Sequence, residues 1–216
     1  MLKKSFTILL LIFCNLIAKD IEPNFSLNAT GGVVDMVLNE NKLYATTLSS
    51  SVDIFDLNKK EKIDSIKLAK IKDFTQTYIE SKVYSVDVLK EKVLILSQGE
   101  NGGRNIFIYS NGKLSPIIED KEKLYISYAK FLDEDHIIYS LLSNQIYIFD
   151  IKNKTIVKQT QVSQSKFSSF KLNENKELVV VSDESGTLTL LNTKDLKIIK
   201  TFEKRNLDNV FQVDIK

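Results

Sequence analysis

The sequence predicts an all-β fold assembled from four similar four-stranded units, and three observations carry that expectation. Short apolar runs bounded by charged turns recur along most of the chain, which is a strand and hairpin signal. Several runs alternate apolar and polar residues on a two-residue period, as a strand with two different faces does. The runs also return at a near-constant spacing, and no long segment sustains a helical period. Only Leu68 to Phe74 leaves room for a turn of helix.

Each unit opens with one hairpin. Val33 to Leu38 leads through the polar turn Asn39 to Lys42 into Leu43 to Leu48. Val83 to Leu89 leads through Lys90-Glu91-Lys92 into Val93 to Leu96, and Ile126 to Leu132 through Asp133-Glu134-Asp135 into His136 to Leu142. Phe167 to Leu172 leads through Asn173 to Lys176 into Leu178 to Val181. A second hairpin follows in every unit. Its first strands are Val52 to Leu57, Ile106 to Tyr109, Ile146 to Phe149 and Thr187 to Leu190. The turns after them are Asn58 to Glu61, Asn111-Gly112, Lys152 to Lys154 and Thr193 to Asp195. Asn111-Gly112 suits a tight hairpin because both residues tolerate positive φ.

Leu38, Leu89, Leu132 and Leu172 hold equivalent places, at intervals of 51, 43 and 40 residues. The long first interval is expected to reflect a longer loop, read at Gly99 to Arg104. Four strands per unit of about 40–45 residues describe a propeller blade. The units resemble degenerate WD40 repeats. Where that family often closes its third strand with Trp-Asp, this chain has Phe55-Asp56, Tyr109-Ser110, Phe149-Asp150 and Leu191-Asn192. Asp183-Glu184-Ser185-Gly186-Thr187 resembles the family's turn between second and third strands, whereas its Gly-His pair and all tryptophans are missing. The resemblance spans residues 31–216 and implies a WD40-like β-propeller of about four complete four-stranded blades. Val210 to Lys216 matches the start of a fifth, so an incomplete propeller is expected, with an unpaired edge.

The expected organisation is a signal peptide over residues 1–18, a lead-in over 19–30 and the blade array over 31–216. Lys3 and Lys4 give a positive start, Phe6 to Phe13 is apolar apart from Thr7, and Ala18 is a small residue before the cut. Leu16 makes the cut less regular. An uncleaved anchor is the alternative, although the apolar stretch is short of the roughly 20 residues a membrane span needs. Cys14 follows bulky Phe13, which argues against a lipoprotein box, and cleavage after Ala18 leaves no cysteine for disulfides. The expected mature protein is periplasmic, with no stable membrane insertion.

Composition narrows the chemistry. Hydrophobic residues at 43% and charged residues at 27% of 216 suit an ordinary globular chain and not a disordered one. The formal charge of +2 falls to zero without Lys3 and Lys4, and Arg104 and Arg205 are the sole arginines. Nothing here suits nucleic-acid binding.

No catalytic, cofactor-binding or metal residue is assigned. His136 is the single histidine, sits after Asp133-Glu134-Asp135 and lacks a Gly-x-Ser-x-Gly elbow, so a surface loop is expected. One histidine and no mature cysteine argue against a zinc, copper or haem site. Asp133 to Asp135, like Asp183 and Glu184, read as solvated turns and not calcium ligands. Gly99 to Arg104 lacks Gly-Lys-Ser/Thr and opens no helix, so it reads as a flexible hairpin insertion whose functional version is a contact loop. Phe55, Phe107, Tyr109, Tyr147 and Phe149 are expected in packing between blades. Tyr78, Tyr125 and Tyr128 are candidates for a rim.

An export signal before lysine-rich, tryptophan-free, degenerate WD40 blades resembles the NapL-type accessory proteins of periplasmic nitrate reductase systems. That resemblance implies a non-catalytic scaffold without a cofactor of its own, acting in reductase maturation or electron supply. Its partner would be another periplasmic protein, such as a nitrate reductase component. The alternatives are an exported propeller enzyme, such as a lactonase-like hydrolase or quinone-dependent dehydrogenase, and an outer-membrane assembly scaffold. Poor histidine supply, missing tryptophans and the context of Cys14 argue against them in turn.

Overall fold

The computed structural model describes residues 22–203 and 208–216. The signal-peptide reading, with Lys3, Lys4, Cys14 and Ala18, lies outside the described residues, as does Arg205. The rest is all-β, with four antiparallel four-stranded sheets whose strands pair in chain order. Blade 1 is β1 (Val33–Asn39), β2 (Lys42–Thr47), β3 (Ser51–Asp56) and β4 (Glu61–Lys67). A ribbon of β5 (Ile71–Lys72) and β6 (Tyr78–Ile79) joins it to blade 2, which is β7 (Val83–Leu89), β8 (Lys92–Gln98), β9 (Arg104–Ser110) and β10 (Lys113–Ile118). Blade 3 is β11 (Ile126–Phe131), β12 (His136–Leu141), β13 (Gln145–Asp150) and β14 (Thr155–Gln161). Blade 4 is β15 (Phe167–Leu172), β16 (Leu178–Asp183), β17 (Leu188–Asn192) and β18 (Ile198–Phe202).

The ribbon, and not Gly99 to Arg104, which follows Leu89, fills the long interval between Leu38 and Leu89. It also corrects the expectation of a helical turn in Leu68 to Phe74. Asp73 captures that stretch: its Oδ1 accepts from the amides of Thr75 and Thr77 and from the Thr75 hydroxyl. Such an aspartate-centred turn reverses the chain before a helix can propagate. At Asn111-Gly112 both residues take positive φ, 50° and 74°, as a primed hairpin turn requires.

The core lies between blades. Tyr44, Val52, Ile54 and Ile66 of blade 1 meet Val83, Val86, Val93 and Ile95 of blade 2. Leu94, Leu96 and Ile106 pack with Phe131, Ile137 and Tyr139 in the second seam. Ile138, Ile146 and Ile148 pack with Phe170, Val179 and Leu191 in the third. Neighbours in one strand therefore serve opposite seams: Ile95 looks to blade 1 and Leu94 to blade 3. The two-residue period puts them there, and burial on both faces explains the unbroken apolar runs in the second strands. Four of the five aromatics expected between blades are there, and Phe55 is not. Tyr147 and Phe149 belong to the second seam, Phe107 and Tyr109 flank the first, and Phe55 is buried on the other face of blade 1.

Innermost strands β1, β7, β11 and β15 all contribute to a cleft of about 350 Å³ on the common axis. Residues 208–216, matched to the opening of a fifth blade, form no strand. They lie against blade 4 instead. Ser168 donates to Asn209 at 2.6 Å, Ser182 donates to the Val210 carbonyl at 3.0 Å, and Lys171 stands 3.6 Å from Asp214.

Candidate protein-docking face

Strand direction sorts the loops onto two faces. Turns between second and third strands, together with the connections between blades, share one face; the remaining hairpin turns occupy the other. The first face carries Gly99 to Arg104, Glu119 to Tyr125, Leu142 to Asn144 and Val162 to Lys166.

Gly99 to Arg104 is tied down at several points. Glu100 to Gly102 forms a short 3-10 turn. The Glu100 amide donates to the Asp120 carboxylate at 2.6 Å, and the Asp120 amide donates to Asn105 at 2.9 Å. A β-carbon at Gly103 would stand 2.5 Å from the Asp120 carbonyl oxygen, so the close approach requires glycine. Arg104 donates to the carbonyls of Gly102 and Gly103 and lies 4.4 Å from the centre of the Tyr84 ring. Where a flexible insertion was expected, these bonds cross-link two loops. Such cross-links form only once residues 15 or more apart in sequence are brought together.

Beside this loop lies a cleft of about 500 Å³, formed mainly by Leu124, Tyr125, Leu141 and Leu142 with Lys123 and Lys166 at its edge. Tyr125 is 56% and Leu142 45% exposed. The floor is stitched by backbone: Leu142 donates to the Tyr125 carbonyl at 3.0 Å, and Phe167 donates to the Leu142 carbonyl at 3.1 Å. Glu184 and Lys166 close the far side, through Glu184 N–H to Lys166 O at 3.0 Å and Lys166 N–H to the Glu184 carboxylate at 3.2 Å. A smaller hollow between Tyr84, Arg104 and Ile126 adjoins it through Tyr125 and Leu142. Of the rim candidates, Tyr78 and Tyr125 are exposed. Tyr128 is not: it packs edge-on against Phe170 at 5.0 Å, and burial pushes its hydroxyl pKa up.

The axial cleft is polar, and Asp35, Asp87, Lys130 and Lys176 in it are already engaged. Asp35 accepts from the Val86 amide at 3.1 Å and Asp87 from the Phe131 amide at 2.8 Å. In the return direction Lys130 donates to the Val86 carbonyl at 2.6 Å and Lys176 to the Phe131 carbonyl at 2.9 Å. Carboxylates thus reach forward one blade and lysines reach back one blade. Burial pushes the Asp87 carboxyl up, outweighing Lys130, the Phe131 amide and Lys176. Burial opposes charge on Lys130 as well, but Tyr128, Asp35 and Asp87 outweigh it and hold the ammonium above its ordinary range. These groups clamp neighbouring blades. In the sequence Asp35, Asp87 and Lys130 show only as a charged residue inside a largely apolar strand.

His136 begins β12 and turns back onto Asp133, with Nδ1 3.0 Å from both carboxylate oxygens. Asp133 also accepts from the amides of Asp135 and His136, which is turn chemistry. Asp183 behaves alike, accepting from Ser185 and Thr187. Among the described residues, no group of three His, Cys, Asp or Glu is placed to hold a metal ion. Lys123, Leu124, Leu142 and Lys166 were not singled out from sequence, because they come from three separate connections that meet only in the folded chain.

Four sheets of this topology around one axis define a WD40-like β-propeller fold. Among solved structures, the chain is similar to the WD40 β-propeller domain of Doa1, with a TM-score of 0.66 and 13% identity. The match covers 87% of this chain and 58% of that one. No protein-family model matches the chain, and no curated protein does.

Proposed function

We propose that the chain is a non-catalytic protein-binding scaffold, exported to the periplasm, where it serves as an accessory factor in nitrate reductase maturation or electron supply. The observation that supports binding is the docking face: solvent-exposed Tyr125 and Leu142 stand on a floor of inter-loop backbone bonds. Rigid aromatic and aliphatic anchors in a preformed cleft are what association between proteins uses best, because little ordering entropy remains to be lost. The clamped state of the axial charges supports a structural and not a catalytic role for them. The accessory role rests on the export signal read from residues 1–18 and on the character of the blades.

The test is nitrate-dependent oxidation of reduced methyl viologen by periplasmic extracts of wild-type and deletion strains. Reduced activity restored by complementation supports the accessory role; unchanged activity across nitrate-grown cultures sinks it. Capture of periplasmic proteins by the purified full-length chain tests the scaffold reading separately. Failure to retain any partner would overturn it.

A further inference from the structure

The geometry points to a partner of definite chemistry: the Tyr125–Leu142 cleft takes an extended peptide segment with a bulky apolar side chain flanked by carboxylates. The inference rests on the scaffold reading and adds which surface is used and what it recognises. Size is the first argument, since about 500 Å³ lined largely by Leu124, Tyr125, Leu141 and Leu142 accommodates one or two apolar side chains.

Charge is the second argument. The cleft and its adjoining hollow are edged by Lys123, Lys166 and Arg104 against a single acid, Glu184. The Glu184 carboxylate already accepts from the Lys166 amide. The nearby acids Asp120 and Glu122 accept from the amides of Glu100 and Glu119. By contrast, the ammonium groups of Lys123 and Lys166 have no hydrogen-bond or ion-pair partner among the described residues. Two uncommitted cations beside an apolar cup complement an anion next to an apolar residue.

Preorganisation is the third. Lys123 is held in a left-handed conformation at φ 55°, with its amide bonded to the Asp120 carbonyl at 2.9 Å. Lys166 is bonded through both its amide and its carbonyl to Glu184. The backbones that place both cations are therefore set before a ligand arrives.

The test is fluorescence anisotropy on the full-length protein with three labelled peptides: Glu-Glu-Phe-Leu-Glu-Glu, Lys-Lys-Phe-Leu-Lys-Lys and Glu-Glu-Ser-Ser-Glu-Glu. The first should bind, weaken with added salt, and exceed both others by at least about tenfold in affinity. Tyr125→Ala and Lys166→Glu should each weaken it by a similar factor while far-ultraviolet circular dichroism and the unfolding midpoint stay put. Equal binding of the lysine peptide, or no effect of either variant, overturns the proposal. So does self-association in sedimentation that Tyr125→Ala abolishes, because the occupant would then be a second copy. A periplasmic partner still captured in full by Tyr125→Ala refutes this cleft but leaves the scaffold reading standing. Selective binding of the acidic peptide, with no partner captured, does the reverse.

Discussion

Blades 1 and 3 have the same four-strand topology and similar sequence patterns, yet they are buried differently. In blade 3, consecutive residues Ile137, Ile138 and Tyr139 are all fully buried, since apolar neighbours cover both faces of the sheet. Among the described residues, the apolar cluster of blade 1 is shared with blade 2. On the other face of blade 1, Met36 and Leu38 are 58% and 61% exposed. Beside Ala45 and Phe55, what is buried there is polar. The Asp53 carboxylate accepts from the Thr30 amide at 2.6 Å and from the hydroxyls of Thr30, Ser51 and Ser65. Burial alone would raise that carboxyl, but these bonds and the Lys62 charge outweigh it and hold its pKa below the ordinary carboxylate range. Blade 3 is held by hydrophobic contact on both sides. Blade 1 holds its lead-in with one carboxylate. A repeat therefore does not carry its stability within itself; its neighbours assign much of it.

The comparison can be broken most severely at Phe131, which is fully buried in the second seam. Phe131→Ala should cost about 3–5 kcal/mol in urea unfolding, whereas Leu38→Ala should stay within about 0.5 kcal/mol. A comparable loss at Leu38 would mean that something covers the open face in solution. Next comes Asp53→Ala, which strands several donors and should cost about 2–3 kcal/mol. Limited proteolysis should then cut the lead-in before any blade.

A third prediction uses pH. The folded pKa of Asp53 lies below its unfolded value, so its stabilisation is present above the unfolded pKa and is lost as pH falls through the folded one. The gap in unfolding free energy between wild type and Asp53→Asn should therefore narrow in acid. Asp87 has the opposite sign: its raised pKa makes its contribution fade as pH rises through the folded value. Asp87→Asn should remove that downward slope, as unfolding midpoints across a pH series will report. The smallest effect is expected at Tyr125, where substitution by alanine should shift stability by no more than about 0.5 kcal/mol, whatever it does to binding.

Much of the fold was legible in the sequence because a blade is local. Its strands are joined by short turns, and Asn111-Gly112 or the spacing of Leu38, Leu89, Leu132 and Leu172 declares them without reference to the rest of the chain. The helical turn allowed in Leu68 to Phe74 failed, since a single aspartate carboxylate decided that segment. The candidate site is legible only in part: sequence points to Gly99 to Arg104 as a contact loop and to Tyr125 as a rim residue, but it offers Tyr78 and Tyr128 on equal terms, and Tyr128 packs against Phe170.

By itself the sequence determined strand periodicity, the four-strand repeat and most turn positions, all set by interactions between residues close along the chain. Tertiary structure alone decided which apolar faces find a neighbour, which carboxylates reach the next blade's amides and which loops meet to form the cleft. Those contacts join residues roughly 20 to 50 positions apart. They depend on the angle between packed sheets, and no local pattern encodes that angle.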